Sequence, residues 1–65
     1  MKTVDLKGVA AGQDVDVVLK DGRRISGKAV LNTDSFIDVV WTDRGVNFQA
    51  CVMYNLISRV EAPEV

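Results

Sequence analysis

Five aspartates, Asp14, Asp16, Asp21, Asp34 and Asp38, form the most conspicuous set of reactive side chains in this 65-residue chain. Carboxylates in such numbers suggest a hard-cation site, but these lack the dense spacing by which one calcium loop wraps its ion, so no metal is expected. Histidine is absent and cysteine occurs once, at Cys51. Imidazole acid–base chemistry, Ser-His-Asp triads and zinc sites built with histidine are thereby removed. Without a histidine partner, Cys51 reads as an inert packed thiol. Arg23 and Arg24, beside Asp21-Gly22, read as a solvated hairpin tip rather than a phosphate clamp. No catalytic residue, cofactor or small-molecule substrate is expected, and the chain is read as a non-enzyme.

Charge narrows the partners. Eight basic residues face nine acidic ones, net −1, and the pI is near 5.1. A general nucleic-acid binder relies on many Lys/Arg–phosphate contacts, so this balance leaves room only for a small local site. No run approaches 18 consecutive apolar residues, and residues 1–14 lack the apolar core of a signal peptide. The expectation is a cytoplasmic protein without membrane contact, and a single cysteine agrees with a reducing compartment. Ordering 65 residues costs on the order of 100 kcal/mol. Domains of this length are marginal without help. With no internal disulfide and no Cys/His metal site, oligomerisation is the remaining remedy.

The elements that must position these residues are strands. Twelve valines and three isoleucines against four leucines favour pleated structure. Val15, Val17 and Leu19 alternate with Asp14, Asp16 and Val18 in a first clear strand, which runs into Asp21-Gly22, a type I′ turn signal. Ile25, Ala29 and Leu31 mark the inward face of the next strand, and Gly27 on that face permits a sharp bend. Asn32-Thr33-Asp34-Ser35 is a turn cluster. A strand over 36–42 follows, with Trp41 read as core. Asp43-Arg44-Gly45 turns the chain into a long strand over 46–54, and a break at Asn55-Leu56 leads to a last strand over 57–60. Residues 3–6 form a short strand or one loose helical turn. One domain spans 1–65, with a core over about 14–61, a leading segment 1–13 and a tail 62–65. The fold class expected is all-β, a small, strongly bent five-stranded antiparallel barrel of the SH3-like class.

The run from Val17 through Leu19, Asp21-Gly22 and on to Gly27 resembles the first signature of the Sm-like protein family. Asp34 to Val40, with Phe36 and Asp38, is similar to its continuation, and Val52 to Val60, ending Ile57-Ser58-Arg59-Val60, resembles the closing signature of the bacterial (Hfq-like) branch. Four departures stand out. The helix that usually precedes the barrel is short or missing. The stretch from Gly27 to Asp34 is one residue longer than the usual family spacing, which implies a bulge or longer loop around 31–33. Asp38 replaces an asparagine. Tyr54-Asn55 stands where the bacterial branch has Lys-His.

The resemblance implies a homo-oligomeric ring of five to seven subunits, joined by pairing the fourth barrel strand of one copy with the fifth of the next. It also implies single-stranded, possibly U-rich, RNA bound at the central pore. By position Phe36 would stack a base, Asp38 would accept from a base N–H while repelling phosphate, Asn55 would use its amide, and Tyr54 would stack or donate its hydroxyl. Each residue also has a plain structural alternative: Phe36 capping the core, Asp38 supporting the turn near Thr33 or Ser35, and Tyr54-Asn55 forming a corner. A second functional expectation is an oligomeric protein-interaction module of the same fold that binds no RNA.

Overall fold

Alternating β-branched residues become strands along almost the whole chain. A computed structural model describes residues 2–63, in which six strands follow one another: β1 (Lys2–Val4), β2 (Asp14–Leu19), β3 (Arg24–Asn32), β4 (Phe36–Asp43), β5 (Val46–Met53) and β6 (Ile57–Ala62). Two single 3-10 turns, Leu6–Gly8 and Tyr54–Leu56, interrupt them. All strand pairs are antiparallel, in one sheet ordered β1-β6-β2-β3-β4-β5. The class is all-β as expected. Among the described residues no helix is long and apolar enough to cross a membrane.

Six strands replace the five expected, because Lys2–Val4 pairs with Val60–Ala62 of β6. The leading segment supplies both the short strand and the helical turn that were alternatives for it. The sheet is not closed; β1 and β5 are its two edges.

One sheet nevertheless encloses a core. A flat sheet with its side chains is roughly 10 Å thick, whereas the smallest dimension here is 22 Å. Coiling brings Val17 of β2, Ile37 and Val39 of β4 and Val60 of β6 into one fully buried cluster. β3 and β4 approach closely at Gly27. A Cβ on Gly27 would drive into the carbonyl oxygen of Val40 and lie 2.9 Å from Val39 Cγ1, so only glycine allows this approach.

A register shift between Ala29 and Leu31 then turns the end of β3 over. Leu31, expected inward, is exposed, and Asn32 takes the inward position opposite buried Ile37. The bulge implied by the extra residue thus falls at Val30, one residue before 31–33. Two further expectations need correction. Asp21-Gly22 is not a type I′ turn, since only Gly22 has positive φ. Gly22 N–H instead donates to Leu19 O and Leu19 N–H to Arg23 O, a three-residue loop with glycine in the left-handed position. The two-residue turn with both central residues at positive φ is Arg44-Gly45.

The outer face of β6-β2-β3 is held by charge. Asp16, only 6% exposed, accepts from Arg24 Nη1 (2.6 Å) and Ser26 Oγ (2.7 Å). Arg24 also donates to Glu61 Oε1 (3.0 Å), whose other oxygen accepts from Arg59 Nε (3.0 Å). Arg24 is therefore a bridge between two carboxylates rather than part of a solvated hairpin tip. Arg23 fits that reading, exposed and paired with Asp21 at 2.7 Å.

Gly27→Ala is expected to destabilise the fold by about 3 kcal/mol, because the obstacle is backbone and cannot move aside. Gly8→Ala, whose added carbon would meet nothing closer than 3.7 Å, should stay within about 0.5 kcal/mol of wild type. Urea denaturation of both variants checks the contrast. Hydrogen bonds from Arg59 and then Arg24 hold the Glu61 carboxyl below its ordinary value of 4.5. A depressed folded-state value gives stability that is present above the ordinary value and lost as pH falls through the depressed one. Glu61→Gln should therefore lose less stability than wild type between neutral pH and about pH 3, read from urea midpoints.

Candidate functional site

The turn before β4 is set by one side chain. Thr33 Oγ1 accepts from the N–H groups of Ser35 and Phe36 (3.1 Å each), and Thr33 N–H donates to Phe36 O (2.9 Å). This fixes Phe36 at the first position of β4, opposite Met53 at the end of β5. The Tyr54 N–H then donates to Ser35 O (2.9 Å), so the β3–β4 turn and the β5–β6 turn lie against each other. All four residues singled out by sequence belong to this end of the molecule.

They do not share one surface. Phe36 and Asp38 alternate with fully buried Ile37 and Val39 and so project from the outer face. Tyr54 packs against the core instead, and its hydroxyl donates to Asn32 Oδ1. The Asn32 amide donates in turn to the carbonyls of Leu6 (2.9 Å) and Val9 (3.1 Å), tying the first 3-10 turn to the end of β3. The Tyr54 hydroxyl is thus committed inside the protein. Burial, and then the charge of Asp34 with a smaller part from Asp5, push this phenol above its ordinary value of 10.0. Asn55 is exposed.

Asp38 is not the turn support considered for it; it sits within β4, opposite Leu31 on one side and Cys51 on the other. Its Oδ1 is buried without a hydrogen-bond partner. Cys51, expected to be packed, is exposed. Local burial first, and the neighbouring Asp38 carboxylate second, push its thiol above the ordinary value of 9.0, which leaves little thiolate at neutral pH. Asp5, Asp34 and Asp38 stand around this end; among the described residues no ion pair joins a cation to any of the four, and the Lys20 N–H donates to Leu56 O (2.9 Å), next to Asn55. Among the described residues no three His, Cys, Asp or Glu side chains are grouped to hold a metal.

A larger feature lies toward the other end of β4 and β5. Trp41 and Phe48, opposite each other in register, stack with ring centroids 5.7 Å apart and planes 13° from parallel. They floor an open cleft of about 900 Å³, bordered by Val15 and Gly27 and rimmed by Asp14, Lys28, Asn47 and Gln49. Asp14 and Lys28 approach to 3.8 Å across the rim, and Thr42 Oγ1 donates to Asn47 Oδ1 (3.0 Å). Trp41 is half-buried rather than core, and Phe48 is exposed. Alternation placed both rings on the concave side but could not show that this side opens beyond Val39. The available signal was the strand Val46–Met53, in which no residue is charged.

Comparison of the chain with protein-family models, with curated proteins and with solved structures finds no match.

Tyr54→Phe, which strands Asn32 Oδ1, should cost about 1–2 kcal/mol, and Asn32→Ala, which frees two backbone carbonyls and the phenol, about 2–3 kcal/mol. Thermal unfolding of the two variants should rank them in that order.

Proposed function

We propose that this chain is a self-associating β module that works through protein contacts, a small coiled barrel of the Sm-like kind with one open side. The observation that carries the reading is β5, eight residues long, at the edge of the sheet with β4 on one side and no strand on the other among the described residues. An extended, uncharged edge templates pairing with another chain unless something covers it. The placement of the two signatures supports the barrel reading. The first spans β2, its turn and β3 up to Gly27, and the last runs from the end of β5 through the Tyr54–Leu56 turn into β6, beside β2.

Single-stranded RNA binding is the second reading, favoured by one observation. The Ser35–Tyr54 hydrogen bond sets the Phe36 turn against exposed Asn55, leaving a half-buried aromatic and a free amide close together. The charge there is unfavourable, because phosphate contacts dominate affinity for nucleic acid. Asp34 and Asp38 would repel a backbone, and Lys20, whose N–H donates to Leu56 O (2.9 Å), is the one cation a hydrogen bond sets beside Asn55 among the described residues. Protein contact is therefore the reading the geometry supports better.

Light scattering at micromolar concentration should give an integer multiple of the 7.1 kDa chain mass; a clean monomer would sink the proposal. Fluorescent oligo-U and oligo-A at about 50 mM salt should show no binding at tens of micromolar. Binding that is lost in Phe36→Ala and weakens steeply with salt would reinstate the RNA reading.

A further inference from the structure

We infer that the partner of β5 is the same strand of a second copy, running antiparallel about a two-fold axis at Gln49. This deepens the self-association reading and rests on it. Three observations support it.

The first is chemical. Every other strand carries at least one charged residue, whereas Val-Asn-Phe-Gln-Ala-Cys-Val-Met carries none and contains no proline. Charges, proline, bulges and short length are how proteins protect sheet edges from pairing. β5 has none of these, and its register with β4 runs unbroken from Phe36–Met53 to Asp43–Val46. A neutral strand can also face its own copy without like-charge repulsion at any cross-strand pair.

The second is exposure. Val46 (54%), Phe48 (43%) and Met53 (45%) leave large apolar surface beside the open edge. Pairing two copies would cover part of it on both faces of the joined sheet.

The third is length matching. The other edge, β1, offers three residues and includes Lys2. β1 also holds β6 at Val60–Ala62, which leaves Ile57–Arg59 as the rest of that edge. A head-to-tail contact would pair eight residues with about three, while a two-fold contact centred on Gln49 pairs the seven residues Val46 to Val52 with the same seven and makes about six to eight backbone hydrogen bonds. Isologous contact closes the assembly at two copies. The clefts floored by Trp41 and Phe48 would then lie side by side across the axis.

Charge complementation at Gln49 tests the inference. Gln49 is exposed, so Gln49→Lys and Gln49→Glu should both fold, with circular dichroism as the control. Each variant alone places like charges across the axis. Light scattering should show wild type at twice 7.1 kDa, each variant at half the wild-type mass, and a one-to-one mixture back at the wild-type mass. In wild type, amide hydrogen exchange of β5 should quicken on dilution while that of β2 does not. A monomeric wild type would overturn both this inference and the self-association reading. Any other assembly size, variants that keep the wild-type mass, a mixture that fails to re-form the dimer, or β5 exchange independent of concentration would overturn the β5 pairing alone.

Discussion

A single sheet has two faces, and a chain this short cannot supply a second layer to cover either of them. It can bury apolar residues only by coiling until its concave side meets itself, and coiling requires two backbones to approach more closely than side chains normally permit. Gly27 is where that happens, with the Val40 carbonyl standing where a Cβ would be. The fully buried positions on β2, β4 and β6 depend on this crossing, because flattening the sheet there would separate them. The open cleft also follows from it, since the bent β3 and the hairpin of β4 and β5 form its two sides.

Polar groups fix what coiling leaves loose. On the outer face, Asp16 is buried because Arg24 and Ser26 satisfy both of its oxygens, and Arg24 spans from β3 to the Glu61 carboxylate on β6. Val18, on the same face and buried, lies in register between Arg24 and Arg59. At one end, Asn32 and Tyr54 join three segments distant in sequence through one amide and one phenol. Unpaired polar atoms in such places cost more than the hydrogen bonds return. Both clusters therefore select one arrangement of the coiled sheet over its neighbours.

The surface left over is unevenly protected. β1 is short, carries Lys2 and covers part of β6, whereas β5 is long and neutral. Two features follow from the same strand: an edge suited to a second copy, and a half-exposed aromatic pair, Trp41 and Phe48, lining a cleft beside it. At the other end of the hairpin Asp34 and Asp5 lie near Tyr54, whose hydroxyl is occupied by Asn32.

Local pattern by itself determined the all-β character, the inward glycine and where the chain turns, though not the type of the Asp21-Gly22 turn. Alternation is written into neighbouring residues, and a glycine on an inward face has few other uses. It also determined that imidazole catalysis is unavailable, since histidine is simply missing. Tertiary structure alone decided which side of Leu31 and Asn32 faces the core, because a one-residue shift at Val30 inverts every later side chain of β3. Likewise, only pairing across 22 residues could engage Tyr54 with Asn32 rather than with a ligand. Burial of Asp16, exposure of Cys51 and the free edge of β5 belong to the same class. Each depends on which strand lies alongside, and that is settled by contacts between residues far apart in the chain.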